Sequence, residues 1–202
     1  MLQFKNVTIY RNGKSICKDL FLNIGKGTCC IISGKNSSGK SSVLSCLIGE
    51  LKPTSGQILL DQYDLHRLSS RERKMFLRST GIVLQHEFLR PFDSVASFFS
   101  QIEATPKDIQ DLLHFFQLSL DHETLLHELS ASEKKKLEII ASFLKRPKLL
   151  IWDEPFHHLD KESQEKIKSR LLRERSMGTT IVLASSDADS FQFLNPENVV
   201  RL

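Results

Sequence analysis

The octapeptide GKNSSGKS, residues 34–41, constrains the fold of this chain more than any other part of its sequence. It fits the spacing G-x-x-x-x-G-K-[ST] at every fixed position, and it lies between an apolar run, TCCIIS, and a helical pattern. A strand, a tight glycine turn and a helix in this order point several backbone N–H groups inward, where they can bind phosphate. Spacing and context together favour a nucleotide site over the alternative, an ordinary exposed loop rich in Gly, Ser and Lys.

Each part of this loop has an expected task. Gly34 and Gly39 permit the tight backbone, Lys40 can reach the terminal phosphates, and the Ser41 hydroxyl can bind Mg²⁺. The residues predicted to contact the nucleotide, ATP, are Gly34, Lys35, Asn36, Ser37, Ser38, Gly39, Lys40, Ser41 and Ser42.

Short apolar runs recur along the chain, and they are mostly continuous rather than alternating, as in parallel strands buried on both faces. Helical patterns at 40–51 and 161–176 lie between them. Strands that alternate with helices predict an α/β fold, a P-loop NTPase with a mainly parallel core sheet and helices on both faces. The runs are TCCIIS (28–33), GIVLQ (81–85), KLLIWDE (148–154) and TTIVLASS (179–186).

Two parts of the chain depart from this alternation of strands and helices. LQFKNVTIY and GQILLDQ are typical of half-exposed strands, with turns at Asn12-Gly13 and at 53–56, and they predict an N-terminal antiparallel β subdomain. Residues 88–146 contain no pattern of a buried strand, whereas PKDIQDLLHFFQL is amphipathic and begins with proline. We therefore expect one domain over 1–202, with a RecA-like core formed by 1–87 and 147–202 and a helical subdomain at 88–146.

Composition narrows the classes of partner. The formal charge of +4 suits an anionic ligand, and the EKKKLE run, which lacks interleaved aromatic residues, predicts a solvated helix face rather than a nucleic-acid patch. No apolar run approaches the ~18 residues that span a bilayer, and the N-terminal stretch lacks the layout of a signal peptide. Four cysteines without a C-x-x-C pair favour a reducing, cytoplasmic compartment. We expect no direct contact with nucleic acid.

A second constellation follows the apolar run that ends in WDEP. A buried strand would deliver Asp153 and Glu154 to its carboxyl end, which is where ligands bind in open α/β sheets. Asp153 is placed to hold Mg²⁺ through water, and Glu154 to orient or deprotonate the attacking water. Two acids at a strand end would otherwise be ordinary solvated residues, but the phosphate loop favours the catalytic interpretation.

With these motifs in order, the chain resembles the ATP-binding subunits of ABC transporters over its whole length. GKNSSGKS matches their Walker A loop, WDEP their Walker B motif and LSASE their signature, L-S-G-G-Q. The resemblance implies that Tyr10 stacks on adenine, that Gln85 of the Q-loop senses Mg²⁺ and the γ-phosphate, and that Asp160 belongs to the D-loop. It also implies that Ser130 and Ser132 of the signature contact ATP bound to a second subunit.

Within the family, DLHRLSSRERKMFLRSTGIVLQHEFL is most similar to the cell-division ATPase FtsE and to lipoprotein-release and macrolide-export ATPases. The resemblance implies a head-to-tail dimer, homologous or heterologous, that sandwiches two ATP and reopens on hydrolysis. It further implies an integral membrane partner, an FtsX-like permease, that docks near Gln85–Phe99. The protein would then lie peripherally on the inner face of the cell membrane.

The signature departs from the family pattern at Ala131, Ser132 and Glu133. Glycines there let backbone N–H groups approach phosphate, whereas Ala131 and Ser132 add Cβ atoms and Glu133 adds a negative charge. Ser130-x-x-Glu133 is also a capping box, which predicts a helix start at this point. The helix N-terminus would survive as an anion site with less room.

The second departure is at the switch histidine, a residue that contacts the γ-phosphate and the catalytic glutamate in the family. VLASSD places Ser186 in that position, and serine carries no positive charge at neutral pH. His157 and His158 near the D-loop are either substitutes for it or two surface histidines. Since Glu154 is retained, we expect weak hydrolysis, with Glu154, Gln85 and Ser186 as catalytic residues.

Three hypotheses follow. The first is an ATPase subunit that drives a membrane partner. The second is an ATP-gated regulatory module with little or no hydrolysis, and the third is the degenerate half of a heterodimer whose partner supplies an intact signature. A soluble ABC protein of DNA repair or translation is disfavoured, because such proteins carry large insertions or a second nucleotide domain.

Overall fold

The computed structural model describes residues 2–11, 13–85 and 89–202. Within these ranges the strands are β1 Leu2–Arg11, β2 Lys14–Ile24, β3 Cys29–Ser33, β4 Ser55–Leu60, β5 Tyr63–Asp64, β6 Thr80–Val83, β7 Leu149–Asp153, β8 Thr180–Ser185 and β9 Asn198–Arg201. The α-helices are α1 Lys40–Leu47, α2 Ser70–Arg78, α3 Val95–Ser100, α4 Pro106–Phe115, α5 Ala131–Leu144 and α6 Lys161–Ser176. Short 3₁₀ turns lie at Leu65–Arg67, Leu126–Glu128 and Asp189–Leu194. This alternation confirms the predicted α/β class.

The core is a parallel sheet in the order β6-β7-β8-β3-β9. Its strands are buried on both faces, and neighbouring residues along a strand enter different clusters: Cys29 and Ile31 pack with α5 and α6, whereas Cys30 and Ile32 pack with α1. Because both faces are covered, these strands have continuous rather than alternating apolar sequences. The carboxyl ends of β3, β7 and β8 lie side by side, so the loops that follow them meet at one edge.

A second sheet is antiparallel, in the order β2-β1-β4-β5, which confirms that the N-terminal strands are antiparallel. Phe4 and Ile58 face each other across β1 and β4, and both are fully buried with Leu44 and Leu47 of α1. The sheet therefore closes one side of the parallel core. The predicted turn at Asn12-Gly13 lies between β1 and β2. Gly13 has a φ of +73°, and Asn12 lies outside the described residues.

The described residues between β6 and β7 contain helices and turns. Thr105 caps α4, and its hydroxyl accepts the N–H of Asp108 at 3.1 Å, with Pro106 at the first helical position. The apolar face predicted for α4 is buried at Leu112, Leu113 and Phe116. These residues belong to the same cluster as Trp152 of β7, so one continuous core joins this segment to the parallel sheet.

Several elements end earlier than the sequence predicts. The apolar run 81–85 continues past the last ladder pair, Val83 with Trp152, so Gln85 follows the strand instead of belonging to it. The helix predicted over 40–51 ends at Leu47, because Gly49 adopts a φ of +75°. In the described part of the chain, no helix combines the length and apolar character that crossing a bilayer requires.

Candidate nucleotide site

The loop after β3 forms a tight cradle. The backbone turns through positive φ at Ser37, +65°, and at Gly39, +105°, and the N–H of Ser38 donates to the Lys35 carbonyl at 3.1 Å. A Cβ on Gly39 would meet the side chain of Ile16 from β2. Position 39 therefore requires glycine for two reasons: its backbone conformation and its close contact with the antiparallel sheet.

Helix α1 begins without a side-chain cap. Gly39 is its N-cap residue, no side chain accepts a hydrogen bond there, and its first turn contains no acidic residue. The first N–H groups of a helix have no partner inside the helix, and the helix dipole adds partial positive charge to that end. The start of α1 is therefore open to an anion supplied from outside the chain.

Lys40 directs its ammonium group into this cradle. The residue is buried, and Nζ donates to the carbonyl oxygens of Gly34 at 2.9 Å and Lys35 at 3.2 Å. Nζ also lies 3.2 Å from Glu154 Oε1, and both side chains are only 6% exposed. The cation of the phosphate loop and the acid that follows β7 thus meet at one point.

Glu154 is fixed by the end of the neighbouring strand. Its φ is +44°, a left-handed conformation that is uncommon for a residue with a side chain, and its N–H donates to the Ala184 carbonyl of β8 at 2.9 Å. The N–H of Ser186 donates to Oε1 at 2.7 Å. The hydroxyls of Ser185 and Ser186 lie 3.4 Å from Oε2. The structure therefore brings Lys40, Glu154 and Ser186 together.

Ser41, Gln85 and Asp153, the predicted metal ligands, lie beside one another and near Lys40. Ser41 Oγ is 3.4 Å from Gln85 Oε1. Asp153 is 1% exposed, and burial raises the pKa of its carboxyl against a weaker, opposing hydrogen bond from Ser41. Within the described residues, Asp153 Oδ1 and Ser38 Oγ are buried and make no hydrogen bond.

This donor set fits Mg²⁺ bound together with a nucleotide. The described ranges contain no cluster of three His, Cys, Asp or Glu side chains that could hold a metal without further ligands. Mg²⁺ is usually held by one or two carboxylates together with other oxygen ligands, waters and substrate phosphates. A serine hydroxyl, an amide oxygen and a buried carboxylate with one unpaired oxygen match that requirement.

The remaining predicted residues do not join this group. In the part of the chain that the structure describes, Tyr10, Ser130, Ser132 and Asp160 make no hydrogen bond or ion pair with the cradle. Tyr10 is 52% exposed near the end of β1. Its neighbour Arg11 does reach the cradle, where Nη1 lies 3.4 Å from Ser42 Oγ. Asp160 accepts the N–H of Ser163 at 2.7 Å and caps α6.

The signature segment forms the predicted capping box. Ser130 Oγ accepts the N–H of Glu133 at 3.3 Å, and Glu133 Oε2 accepts the N–H of Ser130 at 2.9 Å and its hydroxyl at 2.7 Å. These donors lower the pKa of the Glu133 carboxyl. The N-terminus of α5 is exposed at Ser130 and Ala131, but it already holds a carboxylate of its own.

The prediction that EKKKLE is a solvated helix face is wrong for Lys135. That side chain is 5% exposed, and Nζ donates to the Leu84 carbonyl at 2.8 Å and lies 3.4 Å from Glu138 Oε2. The residue types of this run do not separate Lys135 from its neighbours, because opposite charges at i and i+3 also pair on exposed helix faces, as Lys168 and Glu165 do. Lys135 thus links α5 to the residue immediately before Gln85.

The predicted docking region near Gln85–Phe99 is described only in part, because residues 86–88 lie outside the described ranges. Phe92 is 81% exposed and lies 5.7 Å from the His127 ring, measured between centroids. Val95 and Phe99 of α3 are buried in the core. In the described part of this region, Phe92 therefore presents a large apolar side chain to the surface.

Comparison with known proteins agrees with this geometry. Residues 17–157 match the ABC transporter family. The cell division ATP-binding protein FtsE of Bacillus subtilis (strain 168) is 28% identical over 198 residues, which cover 94% of this chain and 87% of that protein. The lipoprotein-releasing system ATP-binding protein LolD of Buchnera aphidicola subsp. Schizaphis graminum (strain Sg) is 32% identical over 201 residues, covering 93% of this chain and 88% of that protein.

Solved structures show the same architecture. The dimeric structure of MJ0796, a bacterial ABC transporter cassette, matches with a TM-score of 0.84 and 25% sequence identity, covering 100% of this chain and 94% of that chain. The named relatives serve different systems and resemble this chain to a similar degree.

Proposed function

The chain belongs to the ABC transporter family as an ATP-binding subunit with an ATPase fold, and we propose that it hydrolyses ATP slowly to drive an integral membrane partner. The observation that carries this proposal is the meeting of Lys40 and Glu154, 3.2 Å apart at the open start of α1. A cradle for phosphate and a buried carboxylate at its edge are the two parts that hydrolysis requires.

The reaction follows from these positions. The N–H groups at the start of α1 and the Lys40 ammonium bind the β- and γ-phosphates, which neutralises charge that develops on the leaving oxygen. A water oxygen attacks the γ-phosphorus and the bond to the ADP oxygen breaks, while Glu154 accepts the proton from water. Ser186 holds Glu154 through its N–H, 2.7 Å from Oε1, so the carboxylate keeps its orientation.

Mg²⁺ completes the site in this proposal. Ser41, Gln85 and Asp153 would hold it, and when bound it would neutralise charge on the phosphate oxygens. The unpaired Oδ1 of Asp153 supports this role, since a buried carboxylate oxygen without a hydrogen bond is costly unless a ligand satisfies it.

Two copies, or this chain and a related subunit, would close head to tail around two ATP. Tyr10 would stack on adenine, while Ser130, Ser132 and Asp160 would face the ATP of the other subunit. Tyr10, Ser130 and Asp160 are exposed and Ser132 is half-buried, which supports this assignment, because residues that act across a dimer must be accessible in the single chain. The solved MJ0796 cassette is dimeric.

The membrane partner would dock beside the helical segment at 88–146, near Gln85–Phe99. We propose this segment as a helical subdomain of a single domain, because its core is continuous with the parallel sheet. The exposed Phe92 supports a docking surface. An FtsX-like permease is the partner that the similarity to FtsE favours, and it would place the protein on the inner face of the cell membrane, without a direct nucleic-acid contact.

Slow turnover follows from the two altered motifs. The start of α5 already carries Glu133, and Ser186 supplies a neutral hydroxyl at 3.4 Å from Glu154 Oε2. Loss of one preorganised contact to the transition state costs about 10²-fold or more in rate.

Steady-state ATP turnover with Mg²⁺ tests the proposal, for the wild type and for Glu154→Gln, alone and with the candidate membrane partner. Glu154→Gln keeps the size of the side chain, so ATP binding should persist while turnover falls about 100-fold or more. ATP binding without any turnover above Glu154→Gln would instead indicate an ATP-gated regulatory module. Turnover that appears only with a second subunit bearing an intact signature would indicate one half of a heterodimer.

A further inference from the structure

The two oxygens of Glu154 are held very differently. Oε1 has two close donors, the Ser186 N–H at 2.7 Å and Lys40 Nζ at 3.2 Å. Among the described residues, the hydrogen-bond donors to Oε2 are only the hydroxyls of Ser185 and Ser186, each at 3.4 Å, beyond the usual 2.5–3.0 Å of a hydroxyl hydrogen bond. One oxygen is anchored, and the other is held loosely.

An imidazole lies beside the loosely held oxygen. His157 Nε2 is 3.9 Å from Glu154 Oε2, and the His157 side chain is 47% exposed while that of Glu154 is 6% exposed. This distance is too long for a hydrogen bond. A shift of the His157 side chain by about 1 Å would bring Nε2 within hydrogen-bond distance of Oε2, and catalytic contacts commonly tighten when substrate binds. His157 therefore stands at the open side of the carboxylate.

The backbone keeps His157 in this position. The N–H of His157 donates to the Glu154 carbonyl at 3.2 Å, which closes a turn that brings residue i+3 over residue i. Glu154 and His158 adopt φ values of +44° and +64° at the two ends of this turn. His158 shares only a ring contact with His157, 6.1 Å between centroids, and its side chain is exposed. The turn thus distinguishes two adjacent histidines.

Chemistry also separates His157 from the serines. A serine hydroxyl is neutral and short, whereas an imidazole can donate from a ring nitrogen and can carry positive charge near neutral pH. The other cation at this carboxylate, Lys40, is on the Oε1 side. His157 therefore brings a ring nitrogen that can donate a hydrogen bond to the side of Oε2.

We infer that His157 is a positioning residue that fixes Oε2 of Glu154 toward the attacking water, in place of an imidazole at position 186. The inference rests on the proposed hydrolysis and adds a residue to it. His157 acts through Glu154 and has no contact with the phosphates in this account.

Four variants test the inference by steady-state kinetics: His157→Ala, His157→Gln, His158→Ala and the double variant His157→Ala/Ser186→His. We expect His157→Ala to lower kcat about ten- to a hundredfold, as for a misplaced reacting group. The KM for ATP should stay within about twofold, because the cradle is unchanged. His157→Gln keeps a donor and should lose less, and the double variant should recover most of the lost turnover.

The matched control is His158→Ala, which removes an adjacent exposed imidazole and should behave as wild type. If the wild type turns over ATP and His157→Ala equals His158→Ala, the inference is overturned and the proposed function stands. Equal losses in the single and double variants would also overturn it, since an imidazole at 186 would then not replace His157.

A readout without turnover separates the two failures. In protein labelled with ¹⁵N-histidine, the ring signals of His157, identified by their absence in His157→Gln, should move in Glu154→Gln, and those of His158 should not. If the wild type shows no turnover, the proposed function fails, and the NMR comparison still tests the contact between His157 and Glu154. Movement of the His157 signals supports that His157 positions Glu154. Unmoved signals overturn the inference.

Discussion

Helices α1 and α5 both present an N-terminus at the surface that would hold phosphate, yet they begin in opposite ways. α1 begins at Gly39, with no side-chain cap and no acidic residue in its first turn. α5 begins at Ser130, whose side chain and backbone are both paired with Glu133. The first helix leaves its N–H groups for an external anion, whereas the second uses Ser130 to pair the N–H of Glu133 and holds the Glu133 carboxylate in its first turn.

The comparison indicates that a carboxylate held in the first turn of a helix competes with an external anion for the positive end of the helix dipole. Helix α2 has the same capping box, formed by Ser69 and Glu72, and no role in the proposed site. The start of α5 is thus a regular capped helix start, and it places the negative charge of Glu133 where the proposed function requires the ATP of a second subunit. In this account the cradle is intact and the weakness lies at α5.

Loss of the cation at the open helix should have the largest effect. Lys40→Ala removes the ammonium that lies between the cradle carbonyls and Glu154. We expect turnover to fall at least about 100-fold and ATP affinity to fall with it, because a preorganised charge contact to phosphate is lost. Isothermal titration and steady-state kinetics measure the two effects, and Lys52→Ala, at an exposed lysine away from the cradle, is the control. Unchanged ATP affinity in Lys40→Ala would remove α1 from the nucleotide site.

A smaller effect should follow when α5 loses its anchor. Lys135→Met keeps the length of the side chain but removes the donor to the Leu84 carbonyl and the partner of Glu138. The Leu84 carbonyl and the Glu138 carboxylate would then lose Lys135 as a partner while they stay buried. We therefore expect the free energy of unfolding to fall by about 2 kcal/mol. Denaturant unfolding measures the loss, and Lys134→Met, one residue earlier and less buried, is the matched comparison. Equal stability of the two variants would contradict an anchoring role for Lys135.

The smallest effect concerns the cap itself. Glu133→Ala should destabilise the protein by about 1 kcal/mol at pH 7, the usual cost of a lost cap. Donors from Ser130 hold the pKa of Glu133 below its ordinary value of 4.5, so its contribution is fully present above pH 4.5. The contribution disappears as the pH falls through the lowered value in the folded state. Wild type and Glu133→Ala should therefore converge in stability in acid, and a difference that persists there would show that the cap acts without its charge.

Much of the fold could be predicted because its signals are local. The loop 34–41, the strand that ends at Asp153 and the helix Lys161–Ser176 each have an unbroken pattern with clear ends. The capping box of α5 was predicted from Ser130 and Glu133. The same signal at Ser69 and Glu72 would have predicted the start of α2, and alternating Leu20, Leu22 and Ile24 would have predicted β2.

The site was less predictable where tertiary contacts decide. The burial of Lys135 depends on the carbonyl of Leu84, which is 51 residues away. Likewise, the choice between His157 and His158 as a partner of Glu154 depends on the backbone turn and on φ values that the residue types do not specify. The sequence pattern placed both histidines in the loop after β7, but only the structure shows which of them lies beside Glu154.

The most direct test of the account removes the carboxylate and the two added Cβ atoms from the start of α5. The variant Ala131→Gly/Ser132→Gly/Glu133→Gln returns the signature to L-S-G-G-Q while Lys40, Glu154 and His157 stay in place. The measurement is its steady-state ATP turnover beside the wild type, at saturating ATP and Mg²⁺. If the α5 start limits hydrolysis, turnover should rise about tenfold or more, with ATP affinity of the single chain unchanged. Turnover that stays at the wild-type rate in a folded variant would contradict the account.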